Sequence, residues 1–169
     1  MLSSKSTIAP ALRRTLRISE KSHMIDLQSP FVQESIMWFC NPYYAIGLRK
    51  EIPWEDKELL TMNIGVLKLE NFTLQKEYIM KLPDLDSLKL YVKNQKKFTK
   101  NVKYSFGYMV VNAQYLLDIM TVLPNVNAYS FKRTYDKIYF YSEDGYAILC
   151  PIHYSSGLCP PKTELESNA

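Results

Sequence analysis

Arg13, Arg14 and Arg17 stand within five residues of one another, and on a helix they share one face. A second basic run follows later, Lys93, Lys96, Lys97, Lys100 and Lys103, interrupted by Phe98. Guanidinium and ammonium groups spaced in this way can neutralise phosphates without reading bases. The other reactive types are sparse. A Cys–His nucleophile pair could use Cys40 or Cys150 with His153, but nothing in the sequence supplies an orienting acid or an oxyanion hole. Cys150, His153 and Cys159 offer zinc-type ligands at Cys-x2-His-x5-Cys spacing, with Cys40 the only candidate fourth ligand. On a strand Cys150 and His153 point to opposite faces, so no metal site is expected. No glycine-rich phosphate loop, dinucleotide fingerprint or serine elbow is present. The expectation is a protein that is not an enzyme and carries no cofactor.

The chain has 169 residues, 47% hydrophobic and 22% charged, enough for one packed domain. Its net charge of +4 permits an anionic partner without demanding one. No apolar run is long enough to cross a bilayer, so no membrane partner is expected. Three cysteines do not make a disulfide framework, which points to a reducing, cytoplasmic setting. The first nineteen residues hold three arginines, several serines and no acid. They fit either a transit peptide or the first amphipathic helix of the domain, and the helix reading is preferred.

These groups need elements to position them. Thr7 is a candidate cap for a first helix, with Pro10 in its first turn and Ile8, Leu12 and Leu16 on its apolar face. Ile36 to Cys40 and Tyr43 to Lys50 read as a strand pair turned by Asn41-Pro42. Residues 51–60 read as a loop, 62–69 as a strand, and Leu88 to Lys93 alternates as a strand would. Residues 73–82 remain open between helix and strand. Val102 to Val111 reads as one strand with Gly107 as a bend. Asn112 caps a helix whose stripe is Tyr115, Leu116, Ile119, Met120 and Leu123, with Gln114, Asp118 and Thr121 lying away from it. Asp84 and Asp86 read as turn residues. Three strands follow at 126–133, 138–142 and 146–154, the last two joined through Glu143-Asp144-Gly145, whose glycine would supply positive φ. The fold class predicted is α+β, an antiparallel sheet with two helices packed on one face.

From Val110 to Tyr154 the chain resembles the bacterial β sliding clamp, the processivity subunit of replicative DNA polymerase. The residues that carry this are Asn112-Ala-Gln-Tyr115-Leu116-Leu-Asp118-Ile119-Met-Thr-Val-Leu123 and the closing strand Tyr146-Ala-Ile-Leu-Cys150-Pro151-Ile152-His153-Tyr154. The resemblance implies one clamp-like domain over residues 1–154; an insertion at about 51–108 departs from the family, as does the flexible tail expected at 155–169 from Pro160-Pro161 and the polar end. It implies a non-catalytic DNA replication accessory protein. Double-stranded DNA would be held non-specifically by Arg13, Arg14, Arg17, Lys93, Lys96, Lys97 and Lys100. Partner peptides, from the polymerase or other replication proteins, would dock beside Cys150, Pro151, Ile152 and His153. A ring would come from a homo-oligomer or from association with another clamp-like chain. His153 and Cys150 depart from the family's arginine and methionine. The alternative is a protein–protein interaction or structural subunit, of phage or viral type, that keeps the fold without binding DNA.

Overall fold

The computed structural model describes residues 5–24, 27–55, 58–72, 79–106, 109–129 and 137–152. Helix α1 (Lys5–Lys21) is followed by strands β1 (Phe31–Gln33), β2 (Ile36–Cys40) and β3 (Tyr44–Leu48). Then come β4 (Leu60–Thr61), two short 3-10 helices (Gly65–Leu67 and Leu69–Asn71) and β5 (Ile79–Met80). Helix α2 (Leu85–Gln95) leads to β6 (Lys103–Phe106) and β7 (Met109–Asn112). Helix α3 (Ala113–Val122) precedes β8 (Asn127–Tyr129), β9 (Ile138–Ser142) and β10 (Gly145–Leu149).

The fold is α+β, as the pattern predicts. Eight strands form one sheet in the order β4-β1-β2-β3-β10-β9-β8-β5, and β6–β7 is a separate hairpin. The sheet is antiparallel except where β4 runs parallel to β1. The middle of this order is palindromic. Helix α1 followed by β1-β2-β3 and helix α3 followed by β8-β9-β10 meet through their last strands, in the register Leu48↔Gly145 to Tyr44↔Leu149. The same face of the sheet carries all three described α-helices, where two were expected. Met37, Phe39, Ile46, Leu48, Phe140 and Leu149 share one core with Leu12 and Leu16 of α1, Leu88 and Val92 of α2, and Leu116 and Ile119 of α3. Helix α3 lies between α1 and α2 and packs on both.

Local chemistry explains both the agreements and the departures. Ile8, Leu12 and Leu16 are buried on α1, as their spacing requires. The helix starts before Thr7, so Thr7 lies within its first turns and Pro10 lies inside it. The Asn41-Pro42 turn forms because Asn41 Oδ1 accepts from the Tyr43 and Tyr44 amides at 2.8 and 3.0 Å. Asn112 caps α3 by accepting from the Gln114 and Tyr115 amides at 2.9 and 3.3 Å.

The alternation from Leu88 to Lys93 does not make a strand. Asp84 Oδ2 accepts from the Ser87 amide at 3.0 Å and starts a helix instead of a turn. Only Leu88 and Val92, one turn apart, are buried, and Leu90 is 58% exposed. Residues 62–69 also do not continue as a strand. The Gln33 side chain takes both polar groups of Ile64, accepting from its amide at 2.6 Å and donating to its carbonyl at 3.0 Å. The chain then coils into the two 3-10 helices, which lay Leu67 and Phe72 over Trp38 on the sheet's second face. Val102 to Val111 is two strands, paired from Lys103↔Asn112 to Phe106↔Met109, with Gly107 outside the described residues. The stretch 51–108 therefore joins the core through α2, Val102 and Tyr104. Of residues 73–82, only 79–82 are described, and Ile79–Met80 is a strand. The 126–133 strand is described to Tyr129, and the last strand ends at Leu149, after which Ile152 forms a single bridge to Val110.

Gly145 is needed for close approach and not for positive φ. A Cβ there would stand 1.9 Å from the Gly47 carbonyl oxygen of β3. Gly47 is itself wedged, since its Cβ would meet Ile36 at 2.7 Å and the Trp38 ring at 2.8 Å. Positive φ is instead used at Glu34 and Ser35, the two turn residues between β1 and β2.

Candidate nucleic-acid interface

The helical layer positions the basic residues. The three arginines lie on the solvent side of α1 because Ile8, Ala11, Leu12, Thr15, Leu16 and Ser19 take the buried side. Their roles then diverge. The Arg13 guanidinium sits 5.9 Å above the Trp54 ring, a cation–π contact that leaves it at the surface. Arg17 is exposed one turn further on. Arg14 turns toward α3, where its Nη2 donates to Asp118 Oδ1 at 2.6 Å and its Nε lies 3.1 Å from the same oxygen.

Asp118 is 1% exposed, whereas the Arg14 side chain is 44% exposed. The carboxylate collects further donors. Gln114 Nε2 donates at 3.1 Å, and the Tyr44 hydroxyl of β3 donates at 3.3 Å. Thr15 Oγ1 on α1 lies 3.1 Å from that hydroxyl. From the C-cap of α2, Lys96 Nζ donates to Gln114 Oε1. One polar chain thus runs Lys96–Gln114–Asp118–Arg14 across all three helices, with Tyr44 tying it to the sheet. Tyr115 stacks on Tyr44 at 4.7 Å and on Tyr43 at 5.8 Å beside it.

Burial pushes the Asp118 carboxyl above its ordinary range, and the Arg14 hydrogen bond, the largest opposing influence, draws it back only partly. The same bond raises Arg14. Burial also pushes the Tyr44 phenol up, so it stays a neutral donor.

Two of the predicted basic residues, Arg14 and Lys96, are therefore joined in one network. Lys93 is exposed on α2, and Lys97 and Lys100 are exposed on the turn after it. Sequence reasoning missed Asp118, placing it away from the apolar stripe. The available signal was that α3 is apolar nearly all round, as befits a helix packed on several sides. Its one acid had to be buried with a partner.

The predicted peptide-docking residues take a different form. Pro151 is buried, and Cys150 and Ile152 are half-buried. The Cys150 amide donates to the Tyr43 carbonyl at 2.8 Å and the Ile152 amide to the Val110 carbonyl at 2.6 Å. His153 lies outside the described residues, as does Cys159. A depression of about 330 Å³ lies elsewhere, lined by Ser29, Pro30, Trp54, Glu58, Leu59 and Leu60. Among the described residues no cluster of three His, Cys, Asp or Glu could hold a metal, and no helix is long and apolar enough to cross a membrane. No family model, curated protein or solved structure matches the chain.

Proposed function

We propose that this chain is a non-catalytic DNA-tethering module of the sliding-clamp kind, holding duplex DNA across its helical layer. The observation that carries the reading is the palindromic pairing of two helix-plus-three-strand units, which lays α1 and α3 side by side on one continuous sheet. The exposed rim of that layer is basic on both sides, with Arg13 and Arg17 on α1 and Lys93, Lys96 and Lys97 on or just after α2. Such a surface suits phosphates, whose recognition requires charge and position and no base readout. The role of Arg14 in this reading is internal. It fixes α1 against α3 and so sets where Arg13 and Arg17 stand.

A partner is part of the proposal. A ring closed by single-domain chains needs about six copies under closed symmetry, or a second clamp-like chain. The docking surface of the alternative reading, the aromatic face of the sheet, is partly taken by the chain's own residues 64–72.

The test is binding of a duplex oligonucleotide across a salt series. Affinity should fall steeply with salt and be lost in an Arg13→Glu, Arg17→Glu double variant that folds normally. Absence of binding by the folded wild-type chain at low salt would reject the reading. The solution mass adds an independent check on ring closure.

A further inference from the structure

The turn after α2 carries a feature that phosphate contact does not use. Phe98 is 83% exposed, the most exposed large hydrophobic residue among those described. A single apolar residue at a surface is ordinary. The setting here is not, because Lys96, Lys97 and Lys100 surround the ring in sequence and are all exposed.

The backbone beneath the ring is held in place. The Lys96 amide continues the helix by donating to the Val92 carbonyl at 3.0 Å. The Phe98 and Thr99 amides both donate to the Gln95 carbonyl, at 3.0 and 3.1 Å, and Thr99 Oγ1 accepts from the Asn101 amide at 3.3 Å. Behind the turn, the Tyr91 hydroxyl donates to the Lys103 carbonyl at 2.7 Å. The Lys96–Gln114 bond connects the turn to the network at α3. The backbone thus places an aromatic side chain in water amid positive charge, at the edge of the proposed DNA-facing layer.

We propose that Phe98 stacks on an unpaired base of nucleic acid whose backbone is held by the surrounding lysines. This deepens the proposed function and rests on it. Base–aromatic stacking is the sequence-tolerant companion of backbone neutralisation. The ring needs an unstacked base, so the surface should favour duplex with a single-stranded extension over blunt duplex. A lipid surface fits the turn less well. The flanking side chains are lysines, Thr99 and Asn101, so one ring is all the turn could bury in a bilayer interface.

The experiment compares a blunt duplex with the same duplex bearing a short unpaired thymine extension, for wild type, Phe98→Ala and Phe98→Trp. Wild type should prefer the extended duplex by about tenfold. Phe98→Ala should lose that preference while keeping its affinity for blunt duplex. Phe98→Trp should keep the preference, with quenching of the added indole fluorescence upon binding. Equal affinities of wild type and Phe98→Ala for the extended duplex would overturn the inference and leave the DNA reading standing. Phe98-dependent binding to phosphatidylserine vesicles without the extension preference would overturn it in favour of a membrane. Absence of binding to either duplex would reject both readings together. Far-UV circular dichroism checks that the variants fold, as substitution at so exposed a site should permit.

Discussion

Arg14 on α1 and Asp118 on α3 are 104 residues apart in sequence, and their side chains meet at 2.6 Å. The pair is lopsided, with a carboxylate 1% exposed and a guanidinium side chain 44% exposed. An acid placed so deep is tolerated because Arg14, Gln114 and Tyr44 all donate to it. The bond therefore does more than add attraction between two charges. It ties α1 to α3 and turns Arg14, alone of the three arginines, toward a buried acid.

The lopsidedness predicts unequal mutational costs. Arg14→Met leaves the buried carboxylate without its main donor and should cost about 2 kcal/mol, less than the ~3–5 kcal/mol of a fully buried pair because water reaches Arg14. Asp118→Asn removes the buried charge, and the half-exposed arginine can turn to solvent, so its cost should stay under about 1 kcal/mol. Urea unfolding of the two variants at neutral pH measures the difference. Equal costs would mean that the carboxylate is better solvated than its burial indicates.

The same group sets a pH dependence. The native state holds the Asp118 proton more tightly than the unfolded chain, since burial outweighs the donors around it. An acid held up in this way contributes stability that is complete below the unfolded carboxylate range, about pH 4, and is lost as pH rises through the native value. Arg14→Met removes a donor that favours ionisation and raises that value further. The variant's deficit should then be small near pH 4 and grow toward neutrality. Parallel urea titrations at the two pH values check this, and a deficit independent of pH would locate the damage in packing.

Much of the fold was legible because local signals and tertiary context agreed. Asn112 sits where a cap belongs, Pro124 follows the helix it ends, and β9 occupies the residues 138–142 expected for a strand. Legibility failed where a distant partner decided the outcome. Ile64 and Val66 look like strand residues, but the Gln33 side chain supplies the partners that a neighbouring strand would have given. Leu88 and Leu90 alternate, yet only the helix start at Asp84 explains why one is buried and the other exposed. At the candidate interface, the exposed arginines on α1 could be read from spacing alone. The apolar surroundings of Asp118 on α3 hinted at its burial, but its partners Arg14 and Tyr44 lie on other elements, which no window along α3 contains.

The cap itself can be weighed. Asn112 satisfies two amides at the start of the helix that carries Gln114 and Asp118. Asn112→Ala should cost about 1 kcal/mol, and Asn112→Asp should recover most of it because a carboxylate also suits a helix N-terminus. Thermal melts of the two variants separate capping from simple loss of a side chain. Equal losses would show that the cap contributes little here.

The last prediction concerns the seam between the two units. β3 and β10 join the halves of the sheet, and Gly145 faces the backbone of Gly47 across that seam. A methyl at position 145 would lie 1.9 Å from a carbonyl oxygen, and backbone cannot rotate away as a side chain can. Gly145→Ala must therefore push the strands apart, and a cost of about 3 kcal/mol or more is expected from overpacking at a buried site. Gly47→Ala meets side-chain atoms of Ile36 and Trp38 at 2.7 and 2.8 Å, which can yield in part, so it should cost less. Denaturant midpoints of the two variants give the order. If Gly145→Ala proved the milder change, the register placing Leu48 opposite Gly145 would be wrong, and with it the alignment that sets α1 beside α3.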